Sequence, residues 1–329
     1  MTERLLPWLE ARWQGVAERL AQGRVPHAML VTGQPGVGKS AFANTIAAAL
    51  LCTERDAAGS PCGQCRGCHL RAQGSHPDLN LVQPEESKRI IRVDQVRHLI
   101  DFLSLKSQYG GYRVGLVDPA DHMNVNAANS ILKTLEEPPA GAVLVLVASE
   151  PHRLPATIRS RCQQLPLPVP PRESALVWLR EQGEGEAMLE LAGGAPLQAL
   201  AYAREGMGEK YQALLKDLAD LAGGQRAPVE AALNWQAESL NVLLALMLHA
   251  VAGLIRLRTV GVDGMRLRDA DRLQALAKGL DLVALHQYLD RLVEARRYVE
   301  HPLNEQLVVE ELFIAWRRLV QTGRTANRH

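Results

Sequence analysis

Residues Gly33 to Ser40 carry the chemistry of a phosphate-binding loop. Their sequence, GQPGVGKS, matches the pattern G-x-x-x-x-G-K-[ST] in full and lies between an apolar run, AMLVT, and a helix-like run, AFANTIAAALL. Gly33, Gly36 and Gly38 would let backbone N–H groups approach phosphate oxygens at a helix N-terminus. Lys39 would reach the terminal phosphates and Ser40 would hold magnesium. The pattern predicts a site for ATP or ADP with Mg²⁺; the alternative is a loop that keeps its shape without its ligand.

Four of the five cysteines lie close together, in LLCTERDAAGSPCGQCRGCHL. Cys52 precedes Cys62, Cys65 and Cys68, whose C-x-x-C-x-x-C spacing lets the sulfurs converge on one ion. His69 could replace one of these ligands. Disulfides are disfavoured in a reducing cytoplasm, and an iron–sulfur cluster is a competing interpretation because it also takes four thiolates. Four protein ligands leave no open position, so we predict a structural zinc site.

The chain contains only part of what ATP hydrolysis requires. An acid after a strand should position magnesium, and a neighbouring carboxylate should orient the attacking water. The third predicted strand ends in Val117-Asp118-Pro119-Ala120-Asp121. Asp118 suits the magnesium role, but Pro119 has no acid or base chemistry. Asp121 is offset by three residues, so we expect it to point elsewhere, as an acid at a helix N-terminus.

A parallel sheet is needed to position these residues. Unbroken Val/Leu strands between helices indicate such a sheet, covered on both faces, and phosphates bind at the carboxyl ends of its strands. The predicted strands are 28–32, 78–82, 113–118 and 142–149, and the predicted helices are 1 to about 25, one after the phosphate loop, one from 93 and one over 124–137. Beyond residue 165 a proline-rich linker, PLPVPPRES, leads into wholly helical sequence, so we predict three domains.

Composition argues against several classes of function. With 37 basic and 36 acidic residues the net charge is +1, so a broadly basic surface for nucleic acid is not expected. The apolar stretches are judged too short for the ~20 residues of a membrane span, and the N-terminus lacks an apolar signal core. We therefore expect a soluble cytoplasmic protein with no membrane partner.

One long run resembles a known family. The segment SILKTLEEPPAGAVLVLVASEPHRLPATIRSRCQQLPL, together with the phosphate loop, VPHAMLVTG and the four-cysteine insert, resembles the bacterial clamp-loader branch of the AAA+ ATPases. The resemblance covers most of the chain. It implies an α/β fold with a phosphate-loop AAA+ parallel-sheet domain (1–166) containing the zinc module (52–68), a small helical lid (167–207) and an all-helical collar (208–329).

The same resemblance implies two defects in ATP hydrolysis. Motor subunits of this family typically end the third strand in Asp-Glu, so Pro119 removes the catalytic glutamate. Ser149 stands where they carry a polar residue that senses the terminal phosphate. The lid motif that normally supplies an arginine reads GAPLQ over 194–198, with Leu197 at the position of the arginine. Both defects imply a subunit that does not hydrolyse ATP.

One catalytic feature of the family is retained. Ser160-Arg161-Cys162 matches its Ser-Arg-Cys signature, whose arginine reaches the nucleotide of an adjacent subunit. The resemblance thus implies a stator that assembles with motor subunits and the delta subunit in a hetero-oligomeric ring of the DNA polymerase III holoenzyme. That ring loads a sliding clamp on primed DNA. The alternatives are an ATP-hydrolysing motor subunit and, from the cysteines alone, a zinc-dependent nucleic-acid-binding module.

Overall fold

A computed structural model of the chain describes residues 5–56, 58–85, 89–183, 185–261, 270–277, 280–298 and 304–326. The chain divides into two compact units, Met1–Ala201 and Tyr202–His329. The first contains the sheet, and the second is helical throughout its described residues. The three domains with boundaries after 166 and 207 remain a prediction.

The sheet lies in the first unit and has five parallel strands. They are β1 Ala28–Thr32, β2 Leu79–Val82, β3 Arg113–Val117, β4 Ala142–Ala148 and β5 Gln163–Pro166. Their order across the sheet is β2-β3-β4-β1-β5, so β1 and β4 are central. The predicted α/β fold class is confirmed. Sequence reasoning missed β5, because this short strand is polar and ends in a proline, as an edge strand tolerates.

Helices cover both faces of the sheet. The helices up to residue 204 are α1 Glu10–Ala21, α2 Lys39–Leu51, α3 Arg66–Ala72, α4 Val93–Ser104, α5 Val125–Ser130, α6 Leu132–Glu136, α7 Ala156–Arg161, α8 Arg172–Gln182 and α9 Pro196–Arg204. Of these, α8 and α9 pack together in a cluster separate from the two faces of the sheet. Short 3-10 helices span Pro7–Leu9, Ala120–His122, Pro151–Arg153 and Glu186–Met188.

Two helix predictions need correction. The single helix predicted over 124–137 is two helices, α5 and α6, which meet at Ile131. The Asn124 side chain accepts a hydrogen bond from Ala127 N at 2.8 Å, so the polar cap at its start is present. Residues 1–4 of the helix predicted for 1 to about 25 lie outside the described residues. In the described part, a 3-10 turn begins at Pro7 and α1 ends at Ala21.

Alternate strand residues point to two separate cores. Met29 and Val31 pack with α1 and α2 on one face of the sheet. Ala28 and Leu30 pack with α4, α5 and α7 on the other. All seven residues of β4 are buried, which explains its unbroken apolar sequence.

The second unit is built from helices alone in its described part. They are α10 Met207–Gly223, α11 Pro228–Leu233, α12 Leu240–Val260, α13 Ala270–Ala277, α14 Leu282–Tyr298 and α15 Glu305–Ala326. Trp316 is fully buried on α15, and its Nε1 donates a hydrogen bond to Leu218 O of α10 at 3.0 Å.

Helix α12 corrects one expectation from composition. Its 21 residues are long and apolar enough to cross a membrane, contrary to the judgement that every apolar stretch is too short. However, 56% of its most apolar window is buried within the protein, and the core helix of a soluble protein meets the same criteria. The cytoplasmic location stays a prediction.

Candidate phosphate-loop, arginine and cysteine sites

The sheet register brings the predicted phosphate-site residues to one edge. Thr32 of β1 pairs with Ala148 of β4, so Gly33 and Ser149 leave the sheet side by side. β3 pairs with β4 on its other side and ends at Val117, so Asp118 leaves at the same carboxyl edge. This is the edge at which parallel sheets bind phosphates.

The loop conformation requires its glycines. Gly36 and Gly38 have φ values of 80° and 97°, in the left-handed region that favours glycine. A Cβ on Gly33 would lie 2.5 Å from Leu167 O, and one on Gly36 would lie 2.4 Å from Gln198 Cβ. Any larger residue would force the backbone apart at both positions.

The polar side chains at this edge form a connected group. Lys39 is 7% exposed, and its Nζ donates to Gln34 O at 2.9 Å. Burial lowers the pKa of Lys39, while the carboxylates of Asp121 and Asp118 oppose that effect. Burial raises the pKa of Asp118, and a hydrogen bond with the Ser40 side chain and the charge of Lys39 act against the rise. This donor set of ammonium, hydroxyl and carboxylate fits a magnesium–nucleotide group.

Asp121 has a role that sequence reasoning missed. It lies in the 3-10 turn after β3, as expected for an acid at a helix start, and is 7% exposed. Its Oδ2 accepts hydrogen bonds from Ser149 N at 2.9 Å and from Glu150 N at 2.6 Å. The Asp121 carboxylate therefore fixes the loop that follows β4. Its Oδ1 is buried without a hydrogen-bond partner among the described residues.

Two other segments of the first unit cover the phosphate loop. Trp8 Nε1 donates to Val37 O at 2.9 Å. A Cβ on Gly38 would lie 2.5 Å from Leu6 Cδ1. From the other side, Leu197 N of α9 donates to Gly36 O at 3.1 Å. The loop thus contacts the N-terminal segment and the start of α9 directly.

Arg161 lies at the opposite edge of the sheet. It is the last residue of α7 and comes two residues before Gln163, which pairs with Met29 near the amino end of β1. Gly33 is four residues after Met29 along this strand, a distance of roughly 13 Å. The guanidinium is 36% exposed; its Nη2 is 2.6 Å from Glu136 Oε1, and its Nη1 donates to Thr157 O at 3.2 Å.

The four predicted cysteine ligands come together. Their Sγ atoms all lie within 4.8 Å of one another, with Cys52 Sγ at 3.6 Å from Cys62 Sγ and 3.8 Å from Cys65 Sγ. Four thiolates at ~2.3 Å from one zinc ion would be about 3.8 Å apart in a tetrahedron. All five cysteines of the chain are free, and His69 is exposed and outside this group. The cluster can hold a metal ion such as zinc.

Backbone amides are aimed at these sulfurs. Cys62 Sγ accepts from Gln64 N at 3.4 Å and from Cys65 N at 3.3 Å, while Cys65 Sγ caps α3 by accepting from Cys68 N at 3.5 Å. Burial acts to raise the pKa of Cys65, but hydrogen bonds from Cys68 N–H and Thr53 outweigh it and lower the pKa to about 6. Such N–H···S bonds stabilise the thiolate form that a metal requires.

The fold and the loop define a parallel-sheet protein with a phosphate-binding loop, and two family models match the chain. A family model described as DNA polymerase III, delta subunit, matches residues 9–171, and one described as DNA polymerase III, delta subunit, C terminal, matches residues 206–318.

The chain is also similar to individual proteins and to a solved structure. DNA polymerase III subunit delta' of Pseudomonas aeruginosa is 36% identical over 97% of this chain and 99% of its own. Subunit tau of Escherichia coli is 36% identical over 46% of this chain but 23% of its own. A solved structure of a gamma subunit-related protein from Thermotoga maritima has 18% identity and a TM-score of 0.43, covering 93% of this chain and 99% of that chain. The chain therefore belongs to the family of DNA polymerase III subunit delta'.

Proposed function

We propose that this chain is the stator of a clamp loader: it does not hydrolyse ATP itself and presents Arg161 to the nucleotide of an adjacent motor subunit. In this role it assembles with motor subunits and a delta subunit into a cytoplasmic ring that opens a sliding clamp and loads it on primed DNA. We propose that the motor subunit resembles subunit tau of Escherichia coli, which is similar to almost half of this chain.

The observation that carries the non-hydrolytic role is the end of β3. Pro119 follows Asp118 where a water-orienting acid would stand. The nearest substitute, Asp121, uses Oδ2 to hold the backbone amides of Ser149 and Glu150. A carboxylate fixed in this way serves as a structural acceptor rather than as a base that orients water.

Nucleotide binding is proposed separately from turnover. Gly33, Gly36 and Gly38 would offer backbone amides to phosphates, and Lys39 would contact the terminal phosphate. Ser40 and Asp118 would hold magnesium, with Ser149 beside the terminal phosphate. When bound, the nucleotide would supply negative charge that the loop amides and Lys39 can accept, and Mg²⁺ would offset part of that charge. Trp8 and Leu197 already donate hydrogen bonds to two carbonyl groups of the loop, those of Val37 and Gly36.

The location of Arg161 supports action on another subunit. Arg161 lies near the amino edge of the sheet, whereas the phosphate loop leaves its carboxyl edge. A guanidinium is charged at any physiological pH and offers planar donors that match phosphate oxygens. An arginine supplied in trans is worth ~10³ or more in the rate of phosphoryl transfer.

The cysteine cluster serves the same assembly structurally. Four sulfurs at zinc distances leave no position for substrate, so we propose that Cys52, Cys62, Cys65 and Cys68 hold Zn²⁺ to fix the insert between α2 and β2.

The test is ATP hydrolysis by a clamp loader reconstituted with this chain, its motor subunits, clamp and primed DNA. Arg161→Ala should lower turnover by orders of magnitude, and Arg161→Lys should restore little, because an ammonium cannot reproduce the planar fork. Arg159→Ala, on the same short helix, is the matched control and should behave as wild type. Unchanged turnover with Arg161→Ala would reject the role.

A motor subunit is the second candidate, and one observation favours it. Asp121 Oδ1 is buried and has no hydrogen-bond partner in the described part of the chain. The charge of Asp121 also acts to raise the pKa of Lys39 and of Asp118, so Asp121 is close to the phosphate site. If this oxygen oriented a water molecule, Asp121→Asn would abolish turnover by the isolated chain.

A further inference from the structure

Arg161 and Glu136 form an ion pair that joins the C-terminal ends of two short helices. Glu136 is the last residue of α6, where the free carbonyls of the helix end disfavour an acid. Arg161 is the last residue of α7, where the same effect favours a base. The Nη2 to Oε1 distance is 2.6 Å, just below the roughly 2.7–2.9 Å usual for a charge-assisted N–H···O bond.

The two contacts of Arg161 fix the guanidinium without using all its donors. Glu136 Oε1 accepts from Nη2, and Thr157 O accepts from Nη1. A guanidinium has five N–H donors in a rigid plane, so three are left for an incoming phosphate. The side chain remains 36% exposed, and a ligand from another molecule can therefore reach it.

We infer that Glu136 is a positioning residue for Arg161: it holds the guanidinium in the orientation in which the remaining donors meet the nucleotide of the adjacent subunit. This inference rests on the proposed role of Arg161 in trans. A free arginine would lose side-chain rotamer entropy when a ligand fixes it. The ion pair with Glu136 restricts those rotamers before the subunits meet, so less entropy is lost on assembly. In this role Glu136 does not contact the nucleotide and acts through Arg161.

The sequence offers a matched control for the test. Glu137 is the adjacent residue, also a glutamate and also exposed, and it caps α6 through its backbone. Since neighbouring residues of a helix face different directions, Glu137→Gln removes the same charge from the same helix end without removing the contact to Arg161.

The experiment is a double-mutant cycle on ATP turnover in the reconstituted clamp loader, with this chain as wild type, Glu136→Gln, Arg161→Ala or both. We expect Glu136→Gln to lower kcat roughly two- to fivefold at unchanged KM, as the loss of one half-exposed ion pair would. Glu137→Gln should leave kcat unchanged. The double variant should equal Arg161→Ala alone, because Glu136 acts only through that arginine.

The outcomes separate this inference from the proposed function. A normal kcat with Glu136→Gln, alongside a strong effect of Arg161→Ala, would overturn the positioning role alone. An increased kcat would also overturn it, because Glu136 would then restrain the arginine. Additive losses in the double variant would mean that Glu136 acts elsewhere. No effect of Arg161→Ala would overturn the proposed function itself. Thermal unfolding of each variant confirms that the fold is intact.

Discussion

Replacing Asp121 tests whether its carboxylate is structural. Oδ2 accepts two backbone hydrogen bonds, from Ser149 and Glu150. Hydrogen bonds to charged groups contribute about 1.5–3 kcal/mol each, so Asp121→Ala should cost about 4 kcal/mol of unfolding free energy. Asp121→Asn keeps an acceptor oxygen but loses the charge, and should cost about 2 kcal/mol because charge-assisted bonds are roughly twice as strong as neutral ones.

The assay is thermal unfolding followed by circular dichroism. For a unit of this size, 1 kcal/mol shifts Tm by roughly 2–4 °C, so the expected losses are about 8–16 °C for Asp121→Ala and about 4–8 °C for Asp121→Asn. Asp101→Asn, an exposed aspartate on α4, is the control and should melt as wild type. In the reconstituted loader, Asp121→Asn should retain turnover per folded molecule. A wild-type Tm combined with lost turnover would refute the structural role.

Three further outcomes are expected. Removing metal with a chelator should lower Tm, and Cys65→Ser should reduce bound zinc below one per chain by elemental analysis; full zinc occupancy in that variant would contradict the four-cysteine site. Burial acts to raise the pKa of Asp78, but hydrogen bonds from Gln108, Ser107 and Tyr109 and the charge of Arg113 outweigh it and lower the pKa. The contribution of Asp78 to the free energy of unfolding is therefore fully present above its unfolded pKa of about 3.9. That contribution is lost as the pH falls through the lower pKa of the folded state. Asp78→Asn should cost about 3 kcal/mol or more in urea unfolding at pH 7. That cost should shrink as the pH falls below the unfolded pKa, and a cost that does not change with pH would contradict the assignment. Trp8→Phe removes the hydrogen bond to Val37 O. Because we expect this bond to break when the loop takes up nucleotide, the variant should bind MgADP with a Kd up to about fivefold lower, measured by calorimetry. A raised Kd would mean that the bond instead holds the loop in its nucleotide-binding conformation.

Short-range patterns gave the strongest predictions from sequence. Strand β4 and the cysteine cluster were both predictable, because each depends on residues close together in the sequence. For β4 the signal is an unbroken apolar run, and for the cluster it is the spacing of Cys62, Cys65 and Cys68. The phosphate-loop glycines belong to the same class, since a motif fixes both their identity and their backbone freedom.

Features that depend on distant contacts were not predictable. Asp121 holds amides 28 and 29 residues away, and Trp8 reaches a carbonyl 29 residues away. Glu136 and Arg161 are 25 residues apart, and neither sequence neighbourhood indicates the other. The polar strand β5 is likewise defined by its pairing with β1 rather than by its own composition.

Phosphate release from ATP by the purified chain alone, with and without clamp and primed DNA, tests the stator role most directly, with Lys39→Ala as the blank. We expect no turnover above that blank, while the same preparation should support turnover in the assembled loader through Arg161. Turnover by the isolated chain that disappears with Lys39→Ala would contradict it, and would make this chain a motor in its own right.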